Sequence, residues 1–535
     1  MATISELLKK NKKKEIWDEY CGFLDLDVAR FMAIQRRLME EQLAIYPNCE
    51  LGRRIFRGEA PKTIEEFREK VRFTTYQDYL PDLIAKNEDV LPKRAQAWVH
   101  TSGSSSEYNF KWVPYPKDMY ETAGKSTASL FLLSGARHRG DIVIRDGMSF
   151  PYTAAPPPYL TGVGLQYMLE LIDLRVYPPI EQALRMEFQE RIKAGFAQAL
   201  SEGMDYICAI SSILLRISES FNSEEKGGFS LSSLPRDPRA LLRLARAFIV
   251  AKLQGRNIQP KDIWKLKGAM CGGMDTSIFK DKVAESWGVV PVEIYAASEF
   301  GAIAIQSWTR KGLTFYPNTN FWEFISEEDY RKVMADRDYV PRSYLMDEVE
   351  PEKEYVLVGS NFYGGALCRY IVGDLIKFIS LKDAKAEIDL PQMTFVSRID
   401  GLIDVGGFTR LTEKTIWQAI VDSGVQYEDW TIRKESLGGK PVLRLYMELR
   451  NGESKTAAEE RIHESLKDLN VPYSELEELI GVRPLSLSVL SKGTFRRYYE
   501  ERQASGSDIA HLKPPHVNAS EQVIENLVRM SRWKL

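Results

Sequence analysis

The 535-residue sequence has no Cys-x-x-C pair. Its five cysteines, Cys21, Cys49, Cys208, Cys271 and Cys368, are odd in number and far apart. That excludes a disulfide framework and a cysteine zinc site, and reads as reduced thiols. No window reaches the ~18 uninterrupted apolar residues that a membrane span needs. Lys9, Lys10 and Lys12 to Lys14 stand near the N-terminus, but no apolar run follows them. Neither a signal peptide nor an anchor is expected, and the expected compartment is the cytoplasm. Neither charge sign is in excess: the formal net charge is −3. The balance predicts no nucleic-acid footprint and no polybasic membrane patch. No internal repeat is present. What the chain does have is length and an apolar share of 44%. Together these suffice for a large core and roughly two to four domains.

Apolar spacing sets the expected elements. Residues 1–45 place Phe31, Ile34, Leu38 and Leu43 at helical intervals, and residues 63–90 continue in that style with Thr75 as a candidate cap. Ala95 to His100 reads as a short buried strand. A helix is expected from Lys117 to Leu133, a strand from Asp141 to Arg145, and a proline-rich crossing from Pro151 to Pro158. Further helices are expected at 162–172, 181–201, 213–221, 238–254 and 277–287. The strands between them start at Tyr206, Leu266 and Val292. This alternation predicts an α/β fold with a largely parallel sheet. From 313 to 399 short strands take over, at 321–325, 355–358, 368–371, 376–379 and 394–397. Beyond 400, helices at 412–422 and 456–469 alternate with strands at 430–434, 442–449 and 485–490. The expectation is a large N-terminal domain over 1–399 with mixed or parallel sheets, helices and a β-rich subdomain at about 313–399. A small mobile α+β domain over 400–535 follows it, with a hinge at about 399–401.

Four polar stations punctuate this scaffold. The first is Thr101-Ser102-Gly103-Ser104-Ser105, just after the strand ending at His100. Small side chains around a glycine leave backbone N–H groups bare, as wrapping phosphate oxygens requires. The loop is not a Walker A loop, since it lacks the Gly-Lys-Ser/Thr ending. The second is Gly272-Gly273, where backbone can pass under a flat ring. The third is Tyr295-Ala296-Ala297-Ser298-Glu299, an acid at the C-terminal end of a strand, where open α/β sheets bind ligands. The fourth is Arg369 to Leu375, with Asp374 in apolar surroundings and Arg398 about two dozen residues later. Each alone also fits a bland role: a linker, a turn, a solvated acid, a salt bridge. Their joint order is the informative feature.

That order resembles the adenylate-forming superfamily of acyl-CoA synthetases, adenylation domains and luciferases. Ser-Gly-Ser-Ser-Ser matches its phosphate loop, Tyr-Ala-Ala-Ser-Glu-Phe-Gly its Tyr-Gly-x-Thr-Glu station, and Arg-Tyr-Ile-Val-Gly-Asp-Leu its Tyr-x-Thr-Gly-Asp-Leu station. Arg398-Ile399-Asp400-Gly401 matches its hinge motif. Within it the chain is most similar to the acyl acid amido synthetases, which conjugate plant auxin and jasmonate to amino acids. Thr75 to Pro81, Glu413-Lys414-Thr415, Gly493-Thr494-Phe495 and His511 to His516 carry that likeness. The departures are Ser106 or Glu107 in place of the loop's second glycine, a lysine displaced to Lys111, and His516 for a final arginine.

The resemblance implies a ligase. It would use ATP and Mg²⁺ to convert a carboxylic acid to an acyl-adenylate, then pass the acyl group to an amino acid-like amine. It implies β- and γ-phosphate binding by Thr101, Ser102, Gly103, Ser104 and Ser105, and Mg²⁺ on Glu299. Gly272, Gly273, Tyr295, Ala296 and Ala297 would frame adenine, Ser298 would belong to the same cofactor site, Asp374 would accept from both ribose hydroxyls, and Arg398 would touch ribose or α-phosphate. Lys513, or else Lys492, would be the catalytic cation. Phe131, Phe150, Tyr152, Tyr159, Phe300, Phe321 and Trp322 are candidate acyl-pocket walls, although ordinary core is the commoner role of such aromatics. An acyl-CoA synthetase with CoA as acceptor, and an inactive member of the fold, stay open beside this reading. The expected partners are small molecules, with no nucleic acid and no membrane. The identities of acid and acceptor are not readable, nor is the oligomeric state, for which a monomer is the default.

Overall fold

A computed structural model describes residues 2–100, 111–209, 211–220, 237–272, 276–399, 401–405, 409–437, 440–450, 452–470, 473–474, 483–504 and 516–532. The described residues form two compact units. The first holds those up to 100, 111–372 and 376–395; the second holds 373–375 and those from 396 onward.

In the first unit, helices Ile4–Lys9, Lys13–Tyr20 and Val28–Ile45 open the chain. Thr3 and Asp27 cap the first and third by accepting the N–H of Glu6 and of Arg30. Helix Val28–Ile45 buries Phe31, Met32, Leu38, Met39 and Leu43, and with them Gln35 and Gln42. Both glutamines serve as clamps. Gln35 donates to the Pro317 and Asn320 carbonyls (2.5 and 2.8 Å) and accepts the Trp322 N–H (2.9 Å). Gln42 accepts the Gly364 N–H (2.8 Å) and donates to the Gly365 carbonyl (3.2 Å). Buried amides with partners on both ends bear little desolvation cost.

Two short pairs, β1 (Ala97–His100) with β2 (Trp112–Tyr115), and β3 (Ser149–Pro151) with β4 (Arg175–Tyr177), accompany a nine-stranded sheet. Its strands are β5 (Tyr206–Cys208), β6 (Gly268–Cys271), β7 (Val292–Ala297), β8 (Gly301–Gln306), β9 (Leu313–Phe315), β10 (Asn320–Ile325), β11 (Glu354–Asn361), β12 (Tyr370–Ser380) and β13 (Gln392–Arg398). Their order across the sheet is β10-β11-β12-β13-β9-β8-β7-β6-β5. The strands expected beyond 313 therefore lie in the same sheet as those before it. Helix Lys117–Gly135 packs so closely on β6 that a Cβ at Gly268 would sit 2.2 Å from Ser134 Oγ.

Several expectations are corrected. The sheet is parallel over β5, β6 and β7, whereas the β7–β8, β8–β9, β9–β13 and β10–β11 pairs are antiparallel. β7 and β8 form an antiparallel hairpin pairing Ala297 with Gly301, because Ser298 to Phe300 turn the chain back with no crossover helix. Asp141 to Arg145 joins no ladder among the described residues, although Ile142 and Ile144 are buried. The alternation there reflects packing without a neighbouring strand. The single helix expected at 181–201 is two, Ile180–Ala183 and Phe188–Glu202. The two strands expected at 368–371 and 376–379 are one, β12, which continues through Gly373.

In the second unit, β14 (Ile403–Val405) pairs with β15 (Thr409–Leu411). Helices Glu413–Asp422 and Lys455–Leu469 pack with a sheet of β16 (Tyr427–Leu437), β17 (Lys440–Leu449) and β18 (Leu485–Leu490). Ile416, Ile420, Trp430, Ile432, Leu445, Ile462, Leu466 and Leu487 form its core. Helices Thr494–Ala504 and Glu521–Arg532 bury Phe495, Tyr498, Ile524 and Leu527 in a smaller cluster.

Candidate active site

The β7–β8 turn is a closely tied polar construction of the first unit. All three of its backbone carbonyls are held. Tyr115 Oη donates to the Ser298 carbonyl (2.8 Å), Asn361 Nδ2 to that of Glu299 (3.0 Å), and Asn320 Nδ2 to that of Phe300 (2.8 Å). Gly301 closes the turn at φ +72°, a left-handed conformation that favours glycine. The turn is thus fixed through its backbone, and among the described residues the Glu299 side chain has no share in holding it. Glu299 is only 9% exposed, and among the described residues its carboxylate takes no hydrogen bond or ion pair. Burial, reinforced by the charge of Glu299, holds the Tyr115 and Tyr76 phenols well above the usual tyrosine range.

Ser298 faces the other way. Its Oγ donates to the carbonyl of His100 (3.2 Å), the last residue of β1. His100 is itself buried, with Tyr159 at 4.2 Å and Trp112 at 4.9 Å, both edge-on, and its N–H donates to the Pro158 carbonyl (3.2 Å). Thr101, Ser102, Gly103, Ser104 and Ser105 lie outside the described residues, as do Gly273 and Lys513. What the structure does place is the residue from which the serine-rich stretch departs, hydrogen-bonded to the residue beside Glu299.

In the second unit, Asp374 and Arg398 come together. β12 passes through Gly373 at φ +83°, and the Gly373 carbonyl accepts the Ile399 N–H (2.8 Å). Arg398 Nε lies 3.8 Å from Asp374 Oδ1. Asp374 is buried, while the Arg398 side chain is 40% exposed. A carboxylate fixed this way, with a half-exposed guanidinium beside it, can accept from a diol and contact an anion at once.

The remaining predicted residues are more scattered. A Cβ at Gly272 would meet nothing within 4 Å, so open space lies against its backbone. The Tyr295 ring lies 5.8 Å from Phe395, Ala296 is exposed and Ala297 half-buried. Lys111 Nζ stands 5.7 Å from the Tyr76 ring centroid. Lys492 is exposed, before helix Thr494–Ala504. Of the proposed acyl-pocket aromatics, Phe131 packs on Phe150 (5.1 Å), Phe300 on Trp322 (5.5 Å) and Phe321 on Phe67 (6.3 Å), all in the core. Tyr152 carries the Arg191 guanidinium at 5.3 Å, and Tyr159 packs edge-on against His100. His100, Tyr115, Asn320 and Asn361 carry no motif of their own. Only the position of His100 next to the serine-rich stretch marks it in the sequence.

All five cysteines are free thiols, and no cluster of three His, Cys, Asp or Glu side chains occurs among the described residues.

His516, which stands where the resemblance has an arginine, is a buried cation. Its Nδ1 lies 2.9 Å from Glu413 Oε1 and its Nε2 3.1 Å from Asp429 Oδ1, with the ring stacked on Trp430 at 4.4 Å. Burial pulls its pKa down, but the hydrogen bonds and charges of Asp429 and Glu413 outweigh that and raise it to about 9. A folded pKa above the unfolded value of about 6.5 stabilises fully below about pH 6.5, and that contribution is lost as pH rises through about 9. The second unit should therefore weaken between about pH 7 and pH 10. Hydrogen exchange at the Ile432 amide, which donates to the His516 carbonyl at 2.7 Å, reads this directly. His516→Gln should flatten the profile. An equally steep profile in that variant would place the titration elsewhere.

Three family models match the chain in order. They are the GH3 family N-terminal domain over residues 22–167, its central domain over 313–398 and its C-terminal domain over 412–522. The chain is 25% identical over 228 residues to jasmonoyl–L-amino acid synthetase GH3.5 of Oryza sativa subsp. japonica, a match spanning 39% of this chain and 37% of that protein. Among solved structures it is similar to a GH3.15 acyl acid amido synthetase in complex with 2,4-DB, with a TM-score of 0.68 at 16% identity over 97% of this chain and 96% of that one. It is also similar to a 2-hydroxyisobutyryl-CoA ligase in the postadenylation state, with a TM-score of 0.61 at 14% identity over 95% and 93%. These likenesses extend the fold over nearly the whole chain, and with the three domain models in sequence the chain belongs to the GH3 family.

Proposed function

We propose that this protein is an ATP-dependent ligase that joins a carboxylic acid to an amine, an amino acid or a close analogue, through an acyl-adenylate. A carboxylate oxygen of the acid attacks the α-phosphorus of ATP and pyrophosphate leaves. The amine nitrogen then attacks the acyl carbon, AMP leaves with the bonding pair, and the nitrogen sheds a proton. Membership of the GH3 family carries this reading. The pairing of Asp374 with Arg398 supports it, since a ribose needs an acceptor for two hydroxyls and the α-phosphate a cation nearby. Thr101 to Ser105 hold the β- and γ-phosphates. Gly272, Gly273 and the stretch from Tyr295 to Ala297 frame the adenine, with Ser298 beside them in the same site. Glu299 fits Mg²⁺, a hard cation that takes one or two carboxylates and fills its shell with phosphate oxygens and water. The ion would neutralise charge on the phosphates. Lys513 supplies the cation at the α-phosphate, and residues from about 401 onward turn on a hinge at 399–401 between the two half-reactions. The work is positioning and charge neutralisation, with no covalent enzyme intermediate. A monomer working in the cytoplasm suffices for this chemistry.

A thiol acceptor is the second reading, favoured by the fold likeness to 2-hydroxyisobutyryl-CoA ligase. One screen separates the two. ATP–pyrophosphate exchange is measured over a panel of carboxylic acids, then each active acid is incubated with CoA or mixed amino acids and the products are read by mass. Acid-dependent exchange with amide product is expected. Thioester without amide would reverse the order, and no exchange with any acid would make this an inactive member of the fold.

Asp374→Ala should weaken ATP and AMP to a similar degree. The ribose contact is made in the ground state, so about 2–3 kcal/mol of uniform binding is lost with two charge-assisted hydrogen bonds. Calorimetry with AMP checks this, and an unchanged affinity would refute the ribose role.

A further inference from the structure

Helix Pro238–Leu253 is built inside out. Its buried residues are the small ones, Ala240, Ala247 and Ala251. Leu241, Leu242, Phe248, Ile249 and Leu253 point to solvent, with Leu242 73% and Leu253 83% exposed. At 100° per residue these five fall on one broad stripe opposite the alanines. An ordinary surface helix does the reverse, burying its large apolar residues and showing polar ones. This face is therefore made to be covered.

Charge indicates by what. The helix has no acidic residue and carries Arg239, Arg243, Arg246 and Lys252. The same spacing puts the three arginines along one flank of the stripe, with Lys252 rising from within it. The basic run continues through Arg256, Lys261, Lys265 and Lys267, so residues 238–267 hold eight basic residues against one acid, Asp262, in a chain whose net charge is −3. The whole-chain balance hides this segment. The two nearest acids in sequence are engaged. Asp237 caps the helix by accepting the Arg239 N–H (2.9 Å), and Asp262 takes both Nη1 and Nη2 of Arg256 at 2.7 Å.

A second copy of the chain is a poor cover, since it would set arginine flank against arginine flank with no acid on the helix to pair them. A peptide helix wants a groove, whereas Leu242 and Leu253 stand far out into solvent. Protruding apolar side chains with cations beside them match the boundary between lipid headgroups and acyl chains. No described helix is long and apolar enough to cross a membrane, so the contact would lie in the plane of the surface.

We propose that helix Pro238–Leu253 docks this protein on anionic lipid surfaces, with Leu242, Phe248, Ile249 and Leu253 entering the interface and Arg239, Arg246 and Lys252 meeting the headgroups. This is independent of the ligase reading. The test is flotation of the full-length protein with vesicles of phosphatidylcholine alone or with about 30% phosphatidylserine. Binding to the anionic vesicles is expected, at least about tenfold above the neutral ones and falling in ~0.5 M salt. Leu242→Gln with Ile249→Gln should lower the bound fraction about tenfold. Arg246→Glu with Lys252→Glu should do the same. All four positions are exposed, so thermal melting should be unchanged in both variants and shows that they fold. Failure of the wild-type protein to float, or equal binding to neutral vesicles, overturns the proposal. So does a dimer in sedimentation that Leu242→Gln with Ile249→Gln dissolves, which would assign the face to a second copy. Binding that appears only when residues 222–235 are replaced by a glycine-serine linker overturns it too, in favour of the chain's own segment.

Discussion

Glu323→Ala should destabilise the first unit by about 3–5 kcal/mol, the cost of breaking a buried ion pair and leaving its partner charged. Glu323 and Arg369 are both fully buried. Glu323 Oε1 accepts from Arg369 Nη2 at 2.9 Å and from Ser343 Oγ at 2.6 Å, and Oε2 accepts from Arg369 Nε at 3.2 Å. Arg369 Nη1 donates to the carbonyls of Arg68 (2.8 Å) and Val71 (2.5 Å), and the guanidinium lies 3.9 Å from the Phe73 ring centroid. Every strong donor of that cation is therefore answered inside the protein. Its backbone sits at φ +44°, a conformation uncommon outside glycine, so the surrounding contacts must hold it there. Removing the carboxylate leaves a charge that cannot reach water. Urea denaturation of Glu323→Ala would show the loss as a lower midpoint at unchanged slope. The double variant Glu323→Met with Arg369→Met should recover much of the loss, because apolar replacements leave no orphaned charge. A single variant as stable as the wild type would mean that water reaches the pair.

This pair shows where reading from sequence stops. Arg369 is visible as the first residue of the Arg-Tyr-Ile-Val-Gly-Asp station, but its partner lies 46 residues away on β10. No local pattern links an arginine to one glutamate among many. Elements with a full 3.6-residue period, such as helices Pro238–Leu253 and Lys455–Leu469, were legible to within a residue or two at each end. Their orientation was not. Periodicity reports that helix Pro238–Leu253 has two faces, and the size of its leucines argues for the wrong one facing inward. The acid after β7 was legible as an acid at a strand end. That the strand folds straight back as β8 was not, since Ser298-Glu299-Phe300 has none of the usual hairpin dipeptides. Nor was the set of ties on that turn, because Tyr115, Asn320 and Asn361 reach it from 20 to 183 positions away. Asp374 and Arg398 each stood out by motif. Their meeting follows from β12 lying beside β13 in the sheet, a fact of topology that spacing alone does not contain.

Glu299→Gln should cut acid-dependent, Mg²⁺-dependent ATP–pyrophosphate exchange by about 10³-fold or more, if this side chain is the protein's ligand to the ion. Glutamine keeps the shape and loses the charge, and a neutral amide is a poor ligand for so hard a cation. The fold should not notice. The turn is fastened at the carbonyls of Ser298, Glu299 and Phe300, and the substitution touches none of those bonds. Its unfolding free energy should stay within about 0.5–1 kcal/mol of the wild type, the ordinary range where no such feature is broken. Two further readouts separate a metal role from a structural one. AMP binding measured without Mg²⁺ should be unchanged, since the Asp374 and Arg398 pair is intact. Raising the Mg²⁺ concentration should restore part of the exchange, because a weakened site is filled by mass action. Exchange near the wild-type rate at every Mg²⁺ concentration would show that Glu299 is a structural residue after all, and the ion's carboxylate would then have to be sought elsewhere in the chain.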